Sequence, residues 1–328
     1  MTDDKNLRAD HEWGSLVEVV VGVSPRNDFV VPRFTVDMNW MPAEFEQMCR
    51  THGGRRLIHV DPDLAIRIEQ QVNGFANLLA DLGVVVHRIE PLAPPASTYL
   101  TEEAEGAQLF PRDGILVVGN RVIELNMQMI WRRREVLGFS GLLDRLYAER
   151  DFQWIAAPKS KPIPAALDSS SKFLAGGDIL LNGPEIYVGC SGNASNRAGI
   201  DWLRRTLGRD YRVHEIPLTS RTLHLDCAMS LLGPKLGLID RAAFAGPLPE
   251  SLQEFEWIEV TPQEAEQVGC NVCVLDHGRL VIASQQVRVR KELEARGLQC
   301  FPIDYDSVTA LGGSLRCSHH PIRRVSGS

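Results

Sequence analysis

The chain carries no excess of basic charge, no secretory pattern at its start, no long apolar run and no low-complexity linker. Among its 328 residues, 35 lysines and arginines stand against 42 aspartates and glutamates, a formal net charge of −7. No overall field therefore draws it toward nucleic acid or an anionic membrane surface. The nearest basic cluster, Trp131-Arg132-Arg133-Arg134, reads as the solvated face of a helix rather than a phosphate site. No apolar stretch approaches the roughly 20 residues that cross a bilayer. The opening MTDDKNLRADHEW lacks a basic segment followed by an apolar one, so no secretory signal is expected. Seven cysteines, an odd number in a chain long enough to fold without staples, are then expected to be reduced thiols in a cytoplasmic protein. With no linker rich in glycine, serine or proline, residues 1–328 are expected to form a single domain, with 1–12 a flexible N-terminus.

What is present is a mixed pattern of short elements. Leu16 to Val23 reads as a buried strand. Leu64, Ile68, Val72, Phe75, Leu78, Leu79 and Leu82 recur at helical spacing, and Gly83 closes the run. Val84 to Ile89 reads as a strand and Pro91 to Ser97 as a loop, followed by short apolar strands at 115–118, 179–181 and 186–188. Gly199 to Leu207 reads as helix, Leu231 to Ile239 as a strand with a Gly-Pro turn, and 272–275 with 280–282 as a hairpin. The alternation predicts an α/β fold in which strand, strand, helix, strand units recur faintly.

Chemistry concentrates near the C-terminus, in Leu311-Gly-Gly-Ser-Leu-Arg-Cys-Ser-His-His-Pro321. Two glycines allow close backbone approach, and a cysteine beside Arg316 can act as a nucleophile; equally, a free cysteine is a small hydrophobe that packs in cores. In Leu223-His-Leu-Asp226, strand alternation would put His224 and Asp226 on one face. Such a histidine can move protons near neutral pH, and the aspartate can hold a cation. Asp113 and Asp178 follow turns and carry little signal alone. Cys270-Asn-Val-Cys273 has metal or redox spacing, but no second pair or nearby histidines complete a zinc set. His319-His320 lack acidic partners, so no metal and no cofactor are expected.

Taken in order, these segments resemble the amidinotransferase family. The likeness runs through His11-Glu-Trp-Gly-Ser-Leu-Val-Glu-Val-Val-Val-Gly22, Pro111-Arg-Asp-Gly-Ile-Leu-Val-Val-Gly-Asn120, Gly199-Ile-Asp-Trp-Leu-Arg-Arg205, Tyr211-Arg-Val-His214, His224-Leu-Asp226 and Gly312-Gly-Ser-Leu-Arg-Cys317. The resemblance implies a pentein fold, a five-bladed α/β propeller of ββαβ modules around a pseudo-fivefold axis. It also implies that Cys317 attacks the guanidinium carbon of arginine or a related donor, forming a covalent amidino-cysteine, while His224 protonates the departing amine and later deprotonates an amine acceptor. Asp113 and Asp226 would grip the planar guanidinium, Arg241 would bind the donor's carboxylate, and Arg316 would lie beside the substrate. In the family a carboxylate three residues before the Asp of the Gly-Gly-Asp turn supports the histidine. Here that position is Ala175, and Asp178 is the nearest substitute.

Three functions follow from the resemblance: an amidinotransferase, a hydrolase of the deiminase or dihydrolase type in which water resolves the same intermediate, and an impaired pentein binding protein suggested by Ala175. Its partners would be a guanidino donor and an amine, with neither nucleic acid nor membrane involved; a homodimer is compatible with the sequence.

Overall fold

The computed structural model describes residues 6–33, 38–92, 108–161 and 169–325. The loop expected at 91–97 lies largely outside them. The described strands form five three-stranded sheets that repeat one plan: an antiparallel hairpin, a helical crossover, and a third strand parallel to the hairpin's second. Parallel pairing demands such a crossover, because the chain must return to the same end of the sheet.

The first sheet joins β1 (Ser15–Val21) to β2 (Val85–Arg88) through the helix Pro62–Asp81. That helix starts where the Asp61 side chain accepts from the Leu64 amide and Pro62 presets the first turn. Ala65, Ile68, Val72, Phe75, Ala76 and Leu79 make its buried stripe, and Gly83, at φ +88°, supplies the left-handed exit. The second sheet contains β3 (Ile115–Val118), β4 (Arg121–Glu124) and β5 (Gln153–Ala156). All four residues of β3 are buried, which explains why it reads as an unbroken apolar run rather than an alternation. The third sheet has β6 (Ile179–Asn182), β7 (Glu185–Cys190) and β8 (Arg212–Pro217), with the helix Arg197–Leu207 as crossover.

The fourth sheet has β9 (Met229–Gly233), β10 (Leu236–Ile239) and β11 (Glu256–Glu259). In the fifth, β12 (Cys273–Asp276), β13 (Arg279–Ala283) and β14 (Gln299–Ile303) are bridged by the helix Val287–Glu294. Finally β15 (His319–Val325) returns to pair antiparallel with β1, so the two ends of the chain complete one sheet. Neighbouring sheets touch through β15 and β3, β6 and β9, β9 and β12, and β12 and β1.

Two expectations are corrected. Residues 6–12 are not a loose tail: Leu7 is fully buried, Ala9 and His11 bridge to Gly119 and Asn182, and Glu12 is buried. Leu223–Asp226 is not a strand either. His224 stands at the N-cap position of a short helix, Leu225–Ala228, so His224 and Asp226 are brought together by a turn.

Candidate active site

Cys317 reaches the site on the turn that precedes β15. Gly312 has φ +89°, and a Cβ on Gly313 would fall 2.6 Å from the Phe110 ring, so this turn needs both glycines. The Cys317 amide donates to Asn271 Oδ1 at 3.2 Å, as does that of Arg316 at 2.9 Å. The amide nitrogen of the Asn271 side chain, Nδ2, lies 3.2 Å from Cys317 Sγ and donates to the Asp226 carbonyl at 3.1 Å. Asp226 Oδ2 stands 3.7 Å from the same sulfur.

His224 arrives from the third and fourth sheets. Asp178 accepts from the Leu225 amide through one oxygen and from the Ser195 amide through the other, each at 3.1 Å, and so locks the histidine's backbone. The paired glycines before it are required by close approach: a Cβ on Gly176 would meet the Arg112 carbonyl at 1.9 Å, and one on Gly177 would meet His224 Nδ1 at 2.6 Å. Gly177 donates its amide to Asp113 Oδ1 at 2.8 Å, and that oxygen lies 3.7 Å from His224 Nδ1.

The carboxylates around His224 are tuned in opposite directions. Burial pushes Asp178 up to about 6, with His224 opposing it. Burial also disfavours charge on Asp113, but His224 and Arg132 prevail and hold it down at about 2. Ala175 is buried, its amide donating to Ser195 Oγ at 3.1 Å; the carboxylate oxygen beside His224 Nδ1 is that of Asp113, while both oxygens of Asp178 are taken by backbone amides.

Asp113, His224 and Cys317 line one cavity that opens to solvent. Arg132 and Glu135 line it too, which corrects the reading of this basic cluster as a solvated face. The Arg132 side chain is only 12 % exposed and donates to Asp113 Oδ2 at 2.6 Å and to Glu135 Oε2 at 2.8 Å. Two more expected site residues lie elsewhere. Arg316 is buried behind the site, where it bridges Asp226 at 2.9 Å and Glu12 at 3.0 Å, and it is not among the cavity's lining residues. Arg241 is half-exposed on a turn, pairs with Glu259 at 2.9 Å, and does not line the cavity. Asp226 sits at the sulfur with one oxygen already engaged by Arg316.

Sequence reasoning missed Asn271, Arg132, Glu135 and Glu12. The signal for Asn271 was a polar residue inside an apolar strand pattern; Cys270 and Cys273 on either side of it are buried. His319 is occupied by the Leu315 carbonyl at 2.7 Å and Arg112 at 3.2 Å. Among the described residues no cluster of three or more His, Cys, Asp or Glu could hold a metal, and no helix is long and apolar enough to cross a membrane.

The chain is similar to known proteins over most of its length. Residues 68–324 match the family model described as "N,N dimethylarginine dimethylhydrolase, eukaryotic". Mitochondrial glycine amidinotransferase of Xenopus tropicalis is 28 % identical over 358 residues, covering 96 % of this chain and 82 % of that protein. The putative inosamine-phosphate amidinotransferase 2 of Streptomyces griseus is also 28 % identical, over 344 residues and 96 % of each chain. A solved amidinotransferase of the saxitoxin biosynthetic pathway from Microseira wollei superimposes with a TM-score of 0.82 at 24 % identity, covering 98 % of both chains, and shares the mixed α/β pentein fold. The cytoplasmic expectation is overturned by the glycine amidinotransferases, which are named as mitochondrial. Reduced thiols and a missing secretory pattern do not distinguish one reducing compartment from another. The chain belongs to the family described as N,N dimethylarginine dimethylhydrolase, eukaryotic, within the amidinotransferase and pentein superfamily.

Proposed function

We propose that the chain is an amidinotransferase that moves the amidino group of arginine or a related guanidino donor to an amine. The observation that carries this reading is the convergence of Cys317, His224 and Asp113, from three distant segments, on one cavity. Cys317 Sγ attacks the guanidinium carbon, a C–N bond breaks, and His224 gives its proton to the departing amine. The acceptor amine then loses a proton to His224 and attacks the amidino carbon, and the S–C bond breaks. We assign a second guanidinium contact to Asp226 Oδ1, 3.9 Å from the sulfur, since Oδ2 is held by Arg316. The five sheets, each with an antiparallel pair and a parallel third strand, are read as the blades of a pseudo-fivefold propeller.

The family match supports a second reading, in which the terminal guanidino nitrogen leaves as ammonia or an alkylamine, the rest of the donor stays bound through its carbon to Cys317 Sγ, and water attacks that carbon and breaks the S–C bond to give citrulline or a related urea. Against the impaired-enzyme reading stands Asp113, whose Oδ1 lies 3.7 Å from His224 Nδ1 despite Ala175. Intact-protein mass after mixing with guanidino donors and quenching in acid separates these readings. Transfer predicts a gain of one amidino group, absent in Cys317→Ala, with the donor's amine released in matching amount. Steady citrulline or ammonia means hydrolysis, and no adduct with any donor sinks both.

A further inference from the structure

Two sulfurs approach one carboxylate oxygen, Asp226 Oδ1: Cys227 Sγ at 3.7 Å and Cys317 Sγ at 3.9 Å. The two thiols also form a side-chain hydrogen bond with each other. Their backbones are tied together. Cys227 sits in the short helix Leu225–Ala228, its amide donating to the His224 carbonyl at 3.2 Å, and Cys317 sits on the turn before β15. A single side chain joins the two segments: Asn271 accepts from the Arg316 and Cys317 amides through Oδ1, at 2.9 and 3.2 Å, and donates through Nδ2 to the Asp226 carbonyl at 3.1 Å. Arg316 adds a second tie, its guanidinium meeting Asp226 Oδ2 at 2.9 Å. Bonding two sulfurs requires segments held close in this way.

Exposure and acidity assign different roles to the pair. Cys317 lines the cavity that opens to solvent, so a small oxidant can reach it. Cys227 is not among the residues lining that cavity, and neither is any other cysteine. The hydrogen bond to Cys317, together with burial, pushes the Cys227 thiol well up, so it is not the sulfur that an oxidant attacks first.

We propose that Cys227 is a resolving thiol, through which hydrogen peroxide converts the pair into a reversible Cys227–Cys317 disulfide. The Cys317 thiolate attacks one peroxide oxygen, the O–O bond breaks, and hydroxide leaves, with Cys317 now a sulfenic acid. The Cys227 sulfur then attacks the Cys317 sulfur, the S–O bond breaks, and the departing hydroxide takes the Cys227 proton as water. Two thiols lose two electrons and two protons, and one peroxide becomes two waters. The bond silences the sulfur assigned to guanidinium attack and shields it from irreversible oxidation. That consequence rests on the proposed function, whereas the bond itself does not.

The reduced full chain treated with hydrogen peroxide, blocked with iodoacetamide and mapped as tryptic peptides by mass tests this. Peptides 222–235 and 317–323 are expected to be joined, short of two hydrogens, and to separate again with dithiothreitol. In Cys227→Ala the same treatment is expected to carry Cys317 on to sulfinic and sulfonic acids, which dithiothreitol does not reverse, while Cys300→Ala behaves as the parent. A parent in which Cys317 over-oxidises as fast as in Cys227→Ala, or joins any other cysteine, would overturn the proposal. Adduct formation from a guanidino donor is expected to fall in proportion to the joined peptides and to return on reduction. Joined peptides in a protein that forms no adduct even when reduced would uphold the bond and strike the transfer chemistry instead.

Discussion

Asp113 faces two partners at once: Oδ2 meets Arg132 at 2.6 Å, and Oδ1 lies 3.7 Å from His224 Nδ1. In the proposed reaction an imidazolium formed on His224 would be stabilised by that second oxygen, whose carboxylate is held at about 2. Asp113→Asn keeps the shape and removes the charge, so it is expected to slow formation of the Cys317 adduct by about 10²–10⁴-fold, the range typical of losing an effective acid–base partner. Stopped reactions read by intact mass measure this, with circular dichroism confirming the fold. A rate within twofold of the parent would remove Asp113 from the chemistry. Cys317 and His224 stood out as candidates because each sits in a short segment whose polar residues break the surrounding apolar pattern, whereas Asp113 carried little signal alone and entered through the resemblance. Asn271 and Arg132 were not, because their meaning comes from partners far away in the chain: Asn271 organises the backbone of Arg316 and Cys317, and Arg132 answers Asp113. No local pattern distinguishes such an arginine from a solvated one.

The N-terminal segment shows how an element acquires structure from contacts that local propensity does not predict. Glu12 accepts from Arg316 through both oxygens, at 3.0 and 3.2 Å, and from the Leu181 amide at 3.1 Å. Burial opposes its charge, yet Arg316 and Arg112 hold it down at about 2. The segment's polar composition suggested a loose tail because its charge had no visible partner nearby; that partner lies 304 positions away. Glu12→Gln leaves a neutral acceptor against a buried guanidinium, and breaking one side of such a pair costs roughly 3–5 kcal/mol. Since Arg316 retains Asp226, the lower end of that range is expected. Urea unfolding should show a lower midpoint with an unchanged slope, and a loss below about 0.5 kcal/mol would mean that the segment contributes little to stability. The helices and hairpins themselves were readable, since the stripe of Pro62–Asp81 and the apolar runs of β3 and β6 are local patterns.

At the scale of the whole molecule, strand alternation suggested recurring units, but their closure was invisible: the pairing of β1 with β15 joins the chain's two ends, and no local pattern encodes it. Around the site so enclosed, buried carboxylates set how stability responds to pH. Glu12 and Asp113 have folded values near 2, below their ordinary values of 4.5 and 3.8. Their contributions are present above the unfolded values and are lost as pH falls toward 2. A tenfold difference in proton affinity between the folded and unfolded chain corresponds to about 1.4 kcal/mol, so each carboxylate contributes on the order of 2–3 kcal/mol. Asp178 behaves oppositely: raised from 3.8 to about 6, it binds its proton more tightly when folded, so its contribution is full below about 4 and is lost as pH rises through 6. Lowering the pH from 7 to about 4.5 should therefore stabilise the protein by roughly 2 kcal/mol through Asp178, against the opposing contribution of His319 and His320, whose values burial holds well below the ordinary histidine range so that the unfolded chain takes up their protons first. Asp178→Asn isolates the aspartate's share: denaturant midpoints measured from pH 7 down to pH 4.5 should fall more steeply in the variant than in the parent, the difference between the two curves growing toward acid to roughly 2 kcal/mol. Parallel curves would show that burial does not govern Asp178.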